Sequence, residues 1–99
     1  MSRTIQISRK AKAEIAAIWD YTAREHGVDQ ADNYVAAMDR VMAMALQFPE
    51  IGADYAEVRK GYRKLLSGSH LVFYIPHEGG IEVIRVLHVR EDIPAKLAE

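Results

Sequence analysis

The stretch YRKLLSGSHLVFYIPHEGGIEVIRVLHV, residues 62–89, decides the fold. It divides into runs rich in β-branched, aromatic and leucine residues: Tyr62 to Leu66, His70 to Ile75 and Ile81 to Val89. Between them stand Ser67-Gly68-Ser69 and His77-Glu78-Gly79-Gly80, short polar segments carrying the glycines that tight turns use. Strand-forming runs joined so closely predict a three-stranded antiparallel meander.

Upstream, the apolar period lengthens from two to between three and four. Pro49 to Val58 holds Gly52, few apolar residues and the acidic Glu50, Asp54 and Glu57, and reads as a connecting loop. Before it, Ala31, Tyr34, Val35, Met38, Val41, Met42 and Ala45 follow the spacing of one helical face, with Asp29 placed to cap the start and Pro49 to end it. Ala11, Ile15, Ile18, Trp19, Thr22 and His26 mark a first helix between an N-cap at Ser8 and Gly27. The link between the two is so short that they must fold back as an antiparallel hairpin. Ahead of them, Arg3 to Ile7 alternates and reads as a short strand. After Asp92, Pro94 allows only a short helix from about Ala95, or a tail. The expected fold is α+β, of order β-α-α-β-β-β, with the helical hairpin packed on one face of a small antiparallel sheet.

Composition bounds what such a fold does. Ninety-nine residues at 49% hydrophobic predict a single domain spanning 1–99 and exclude a disordered chain. Thirteen Lys and Arg against fourteen Asp and Glu leave a formal charge of −1, so the bulk attraction of a free-standing nucleic-acid binder is lacking and no direct sequence-specific nucleic-acid binding is expected. The absence of cysteine removes disulfides and thiolate chemistry. The histidines share no metal-ligand spacing and no phosphate-binding glycine loop occurs, so neither a metal nor a cofactor is expected. Without a leader pattern or a run of about 18 apolar residues, the expected location is the cytoplasm, with no membrane contact.

A small sheet has two faces, and one hairpin covers one of them. In the last strand Ile81, Val83, Leu87 and Val89 share a side with Arg85, while Ile84 and Val86 share the other with Glu82 and His88. In the middle strand Val72 and Tyr74 oppose Leu71, Phe73 and Ile75. Both sides are apolar at mid-strand, so one is expected to lie open and to bind a partner. Arg85 is the one charge in the middle of the last strand, and its side is therefore taken as the open one. The competing reading is that residues 92–99 fold back and cover part of that side with Ile93, Pro94, Ala95, Leu97 and Ala98.

Candidates for chemistry are few. Arg59, Lys60, Arg63 and Lys64 form the densest basic cluster and would meet phosphate or an acidic peptide, although a charged edge strand guarded against pairing accounts for them equally. His70 begins the middle strand, and His88 stands two residues before Arg90. A His beside an Arg and a Tyr suits general acid/base cleavage of RNA, but for His88 alone a structural role at a strand end is the better reading. Trp19 and Tyr34 read as hairpin packing, and Met38 and Met42 as core filler.

The order of elements resembles the RelE/ParE superfamily of type II toxin-antitoxin toxins. The resemblance rests on Ser8-Arg9-Lys10-Ala11, Ile18-Trp19-Asp20-Tyr21, the Gly27 turn, Phe48-Pro49-Glu50-Ile51-Gly52, Gly61-Tyr62-Arg63, Gly68-Ser69-His70-Leu71-Val72-Phe73-Tyr74 and Ile84-Arg85-Val86-Leu87-His88-Val89-Arg90. The long paired helices and the Leu87-His88-Val89-Arg90 ending look like the ParE branch. That branch implies a non-enzymatic toxin that inhibits DNA gyrase and is neutralised by a ParD-type antitoxin. Such an antitoxin joins a ribbon-helix-helix DNA-binding part to a C-terminal segment, disordered alone, that folds over the toxin and buries apolar and basic surface. Joined to the open-face reading, this makes Arg63, Leu65, Leu71, Phe73, Ile75, Val83, Arg85 and Leu87 the expected antitoxin contacts. The RelE branch implies the alternative, a ribosome-dependent mRNA endoribonuclease, with Arg63, Lys64, Arg85, His88 and Arg90 as its candidate catalytic residues. The RelE pattern departs at three places: an arginine position falls on Leu71, another falls at or beside Val89, and the tail lacks a tyrosine.

Overall fold

A computed structural model describes residues 2–99. Chain order is β1 (Thr4–Ile7), α1 (Arg9–His26), α2 (Val28–Gln47), β2 (Ala53–Asp54), β3 (Arg63–Ser67), β4 (His70–His77), β5 (Gly80–His88) and α3 (Ile93–Leu97). The strands form one sheet in the order β1-β5-β4-β3-β2. The meander is antiparallel, as its turns dictate, while β1 joins parallel to β5 with Ile5 beside Ile81 and Ile7 beside Val83. The sheet is thus mixed, and the long connection that a parallel pair needs is supplied by everything between β1 and β5.

Ser8 is the point where β1 becomes α1. Its hydroxyl accepts a hydrogen bond from Ala11 N at 3.0 Å and donates to Ile84 O at 2.6 Å, so one side chain caps the helix and ties it to the sheet. Gly27, at φ +92°, is the whole link between the helices. Because α2 starts at Val28, Asp29 is not its cap but a first-turn residue, where its charge meets the positive end of the helix dipole. Across the hairpin Trp19 Nε1 donates to Asp32 Oδ1 at 2.9 Å. The hairpin lays Ala11, Met38, Met42 and Ala45 on Val72, Tyr74, Ile81, Val83 and Val86, which makes Met38 and Met42 the core residues their spacing predicts.

The second face differs from expectation in two ways. First, β5 carries a bulge: Tyr74 stands opposite Val83 and Phe73 opposite Arg85, which leaves Ile84 unmatched. One extra residue reverses the alternation, so Ile81 and Val83 pack under the hairpin and Arg85 and Leu87 turn away from it. Cross-strand partners share a face. Leu65, opposite Val72, and Arg63, opposite Tyr74, therefore also lie on the hairpin side rather than with Leu71, Phe73 and Ile75.

Second, the Arg85 side is not open. Asp92 caps α3 by accepting from Ala95 N at 3.3 Å, and α3 folds back over the sheet. Together with Tyr55, Val58 and Tyr62 it encloses Phe73 and Leu87 in a second core, with Leu71 packed at its margin. Phe73 is 0% exposed, Leu87 2% and Arg85 6%, so no partner reaches these side chains while α3 is in place, and Val83, 0% exposed, is shut under the hairpin. The fold-back reading of the tail is the one the structure adopts, because the tail's Ile93 and Leu97 have an apolar face to meet.

Candidate functional site

Beyond Ile7 the parallel ladder stops, and among the described residues the outer edge of β5 has no strand beside it. Side chains take over its backbone groups: Val86 N donates to Glu14 Oε1 and His88 N to Glu91 Oε1, each at 2.9 Å. Because α1 approaches this edge through a side chain rather than a strand, a groove of about 640 Å³ opens between the hairpin, the ends of β4 and β5, and α3. Ala17, Ile18 and the buried Val86 line it as an apolar stretch, and Tyr21, 58% exposed, adds an aromatic face. An apolar floor with a polar end suits a short amphipathic protein segment.

The polar end is Tyr34, His70 and His88. Tyr34 Oη lies 2.7 Å from His70 Nδ1, accepts from Ser69 N at 2.8 Å and reaches Ser67 O at 3.3 Å. The rings of His70 and His88 meet edge to face with centroids 5.1 Å apart, and His88 Nδ1 accepts from Arg90 N at 3.1 Å. Burial holds the His70 pKa below its ordinary 6.5, the electrostatic influence of the neighbouring His88 ring lowers it further, and Glu91 opposes both. The neutral ring is the form that accepts the Tyr34 proton. Protonating it would turn the phenol toward the longer bond to Ser67.

Above 6.5 the His70 ring is neutral in folded and unfolded chains alike; as pH falls below 6.5 the unfolded chain takes up the proton first, and stability drops toward the depressed folded pKa. Unfolding measured between about pH 5 and 7 is therefore expected to show wild type losing more stability on acidification than His70→Asn. Equal slopes for the two would mean that His70 contributes nothing.

The residues expected from sequence do not converge. Arg63 donates to the carbonyls of Gly52 at 2.8 Å and Glu50 at 3.3 Å, Lys64 sits 4.5 Å over the Tyr55 ring, and Arg59 donates to Leu97 O at 3.0 Å at the end of α3. Most of the basic cluster is thus spent on the fold. Arg85 is locked to Glu14, with Nε–Oε2 at 2.8 Å, and its Nη1 donates to Lys96 O at 2.6 Å. Arg63 lies opposite Tyr74 and His88 opposite His70, so roughly 16 Å of sheet separates them. Of the five ribonuclease candidates only His88 lines the groove. Glu14, Tyr34 and Glu91 are site residues that sequence reasoning missed. No local signal marks Tyr34; Gly68, 34 positions on, takes φ +59° in the Ser67-Gly68-Ser69 turn, and a Cβ there would also stand 2.5 Å from Tyr34 Oη.

Comparison with known proteins agrees with this architecture. Residues 5–93 match the family model described as the ParE toxin of the type II toxin-antitoxin system parDE. The chain is 43% identical over 98 residues to Toxin ParE1 of Mycobacterium tuberculosis (strain H37Rv), covering 98% of this chain and 100% of that one. It is 40% identical over 83 residues to Toxin ParE1 of Caulobacter vibrioides, covering 84% and 85%. The solved structure "Chromosomal ParDE TA system from P. aeruginosa" superposes with a TM-score of 0.76 at 21% identity, over 89% of this chain and 97% of that one, and shares the fold. The chain therefore belongs to the ParE toxin family of type II toxin-antitoxin systems.

Proposed function

We propose that the chain, acting as one domain in the cytoplasm, inhibits DNA gyrase by binding it, catalyses no reaction, and is neutralised by a ParD-type antitoxin. The observation that carries this reading is the match to ParE toxins along nearly the whole chain. The scatter of Arg63, Lys64, Arg85 and Arg90 supports it too, because cleavage of RNA needs a base, an acid and cations around one phosphate. The antitoxin segment is assigned to the groove, with Tyr21 and Ile18 as apolar contacts. Leu71 and Ile75, the half-buried members of the expected set on the outer face, are secondary contacts.

The alternative of an mRNA endoribonuclease draws on one observation, the His70 and His88 pair beside Tyr34. Two imidazoles suit acid/base transfer at a ribose hydroxyl, but no arginine lines the groove beside them, and its Lys96 is paired with Glu91 at 3.6 Å. Purified chain added to a gyrase supercoiling assay and to a translation-coupled mRNA cleavage assay separates the two. Inhibition of supercoiling, relieved by antitoxin, is expected; cleavage without gyrase inhibition would overturn the proposal. Tyr21→Glu is expected to weaken antitoxin binding by about 2 kcal/mol, as truncating an interface anchor does, with the thermal midpoint unchanged because the side chain is exposed.

A further inference from the structure

Three of the four histidines, His26, His70 and His88, line the groove, and His77 stands outside it. His70 and His88 are cross-strand partners on β4 and β5, so their rings leave the sheet on one face. The bonds made by each Nδ1 fix where the ring carries its proton. A backbone N–H can only donate, so His88 Nδ1, which accepts from Arg90 N, is bare and the proton sits on Nε2. Tyr34 donates along its shorter bond, 2.7 Å to His70 Nδ1 against 3.3 Å to Ser67 O, which leaves His70 protonated at Nε2 as well. Neither Nε2 has a hydrogen-bond partner among the described residues, and no buried side-chain nitrogen or oxygen there lacks one, so solvent reaches both.

The pair is therefore a double donor with nothing to donate to. The acceptors around it are engaged: Tyr34 Oη takes Ser69 N, Glu91 takes His88 N and faces Lys96 at 3.6 Å, and Glu14 takes Val86 N and Arg85. A group entering this end of the groove must bring lone pairs. A carboxylate brings two oxygens and the charge that makes such bonds roughly twice as strong as neutral ones. We propose that His70 and His88 form a carboxylate-binding subsite whose ligand is an acidic side chain of the protein segment that fills the groove. Resting as it does on the groove's assignment to the antitoxin, the subsite sets what that segment must carry: an Asp or Glu, besides the apolar residues that meet Ile18 and Tyr21.

Long-range nitrogen–proton NMR spectra of the imidazoles in the full chain test this without any variant. Acetate, titrated to about 0.1 M against chloride at matched ionic strength, is expected to shift the Nε2 signals of His70 and His88 in a saturating manner. His77 is the control, because its Nδ1 accepts from Gly79 N at 3.0 Å and it offers a single exposed Nε2 donor outside the groove. Equal shifts in all three rings, or a proton found on Nδ1 of His70 or His88, overturn the proposal whether or not an antitoxin binds. In calorimetric titration with the antitoxin, His70→Phe and His88→Phe are each expected to lower affinity about tenfold, with circular dichroism unchanged. One Asp→Asn or Glu→Gln change in the antitoxin is expected to cost about as much with wild type and nothing further with the double variant, the mark of a direct pair. Binding that is weakened by Tyr21→Glu but has no such acidic position overturns the subsite alone; binding indifferent to Tyr21→Glu as well overturns the groove assignment with it. If a single-stranded RNA oligonucleotide moves the two rings and the antitoxin does not, the pair serves phosphate and the proposal is likewise overturned.

Discussion

Replacing Arg85 with alanine is expected to lower the free energy of unfolding by about 3 to 5 kcal/mol, the scale on which breaking a buried ion pair is felt. The side chain of Arg85 is 8% exposed and that of Glu14 is 21% exposed, with Nη2–Oε2 at 2.7 Å. The same guanidinium donates to Lys96 O, and the same carboxylate accepts from Val86 N, so the pair joins α1, the bulged part of β5 and α3. Without Arg85 the Glu14 charge is left half-enclosed and α3 loses a main-chain anchor, which uncovers Phe73 and Leu87. Glu14→Ala is expected to cost a similar amount from the other side, because it strands a buried cation and an amide of β5. The double variant Arg85→Met with Glu14→Leu is expected to recover much of the loss, since no charge then remains buried alone. Urea unfolding of wild type, Arg85→Met, Glu14→Leu and their double variant as a double-mutant cycle reads the coupling directly. A loss below about 1 kcal/mol for Arg85→Ala would place the pair among ordinary surface ion pairs and remove the clasp from this account.

That clasp also explains where the sequence was readable and where it was not. The meander and hairpin were legible because period two and the helical period run over many residues, and Gly27 and Gly68 punctuate them. The bulge was not: Val83-Ile84-Arg85-Val86 is good strand sequence in either register, and only the three-dimensional choice to give Ile84 O to Ser8 and Val86 N to Glu14 fixes which residue is skipped. That one residue moves Val83 to the hairpin side, and the Arg85 side is closed separately, by Ile93 and Leu97 of α3. Arg85 reads as solvent-facing because it is charged, whereas its partner stands 71 residues away in Glu14. Tyr34 and His70 are 36 residues apart, and no local pattern announces their bond. In this fold the polar site is made by contacts between elements, and periodicity reports only on what happens within one.

Gly80→Ala carries the other large expected effect. Gly80 opens β5 at φ +142°, in a region L side chains rarely adopt, and a Cβ built on it would collide with the main-chain oxygen of Thr4, its own partner in the parallel ladder. Thr4 N donates to Gly79 O at 3.0 Å in the same corner, so the backbone has no free side to move to. Relief comes only by pushing β1 off β5, which draws Ile5 and Ile7 from the first core and strains the Ser8 link that starts α1. Main-chain strain and lost strand packing together are expected to cost about 3 kcal/mol or more. Gly79→Ala is the matched control: it lies in the same turn, its nearest neighbour is His77 Cε1 at 3.4 Å, and it is expected to stay within about 1 kcal/mol of wild type. Thermal unfolding gives the size of each loss, and amide exchange at Ile5 and Ile7 locates it. If both alanines cost the same, or if exchange in β1 is unchanged in Gly80→Ala, then β1 is not held at the sheet edge by the close approach of Gly80 to Thr4.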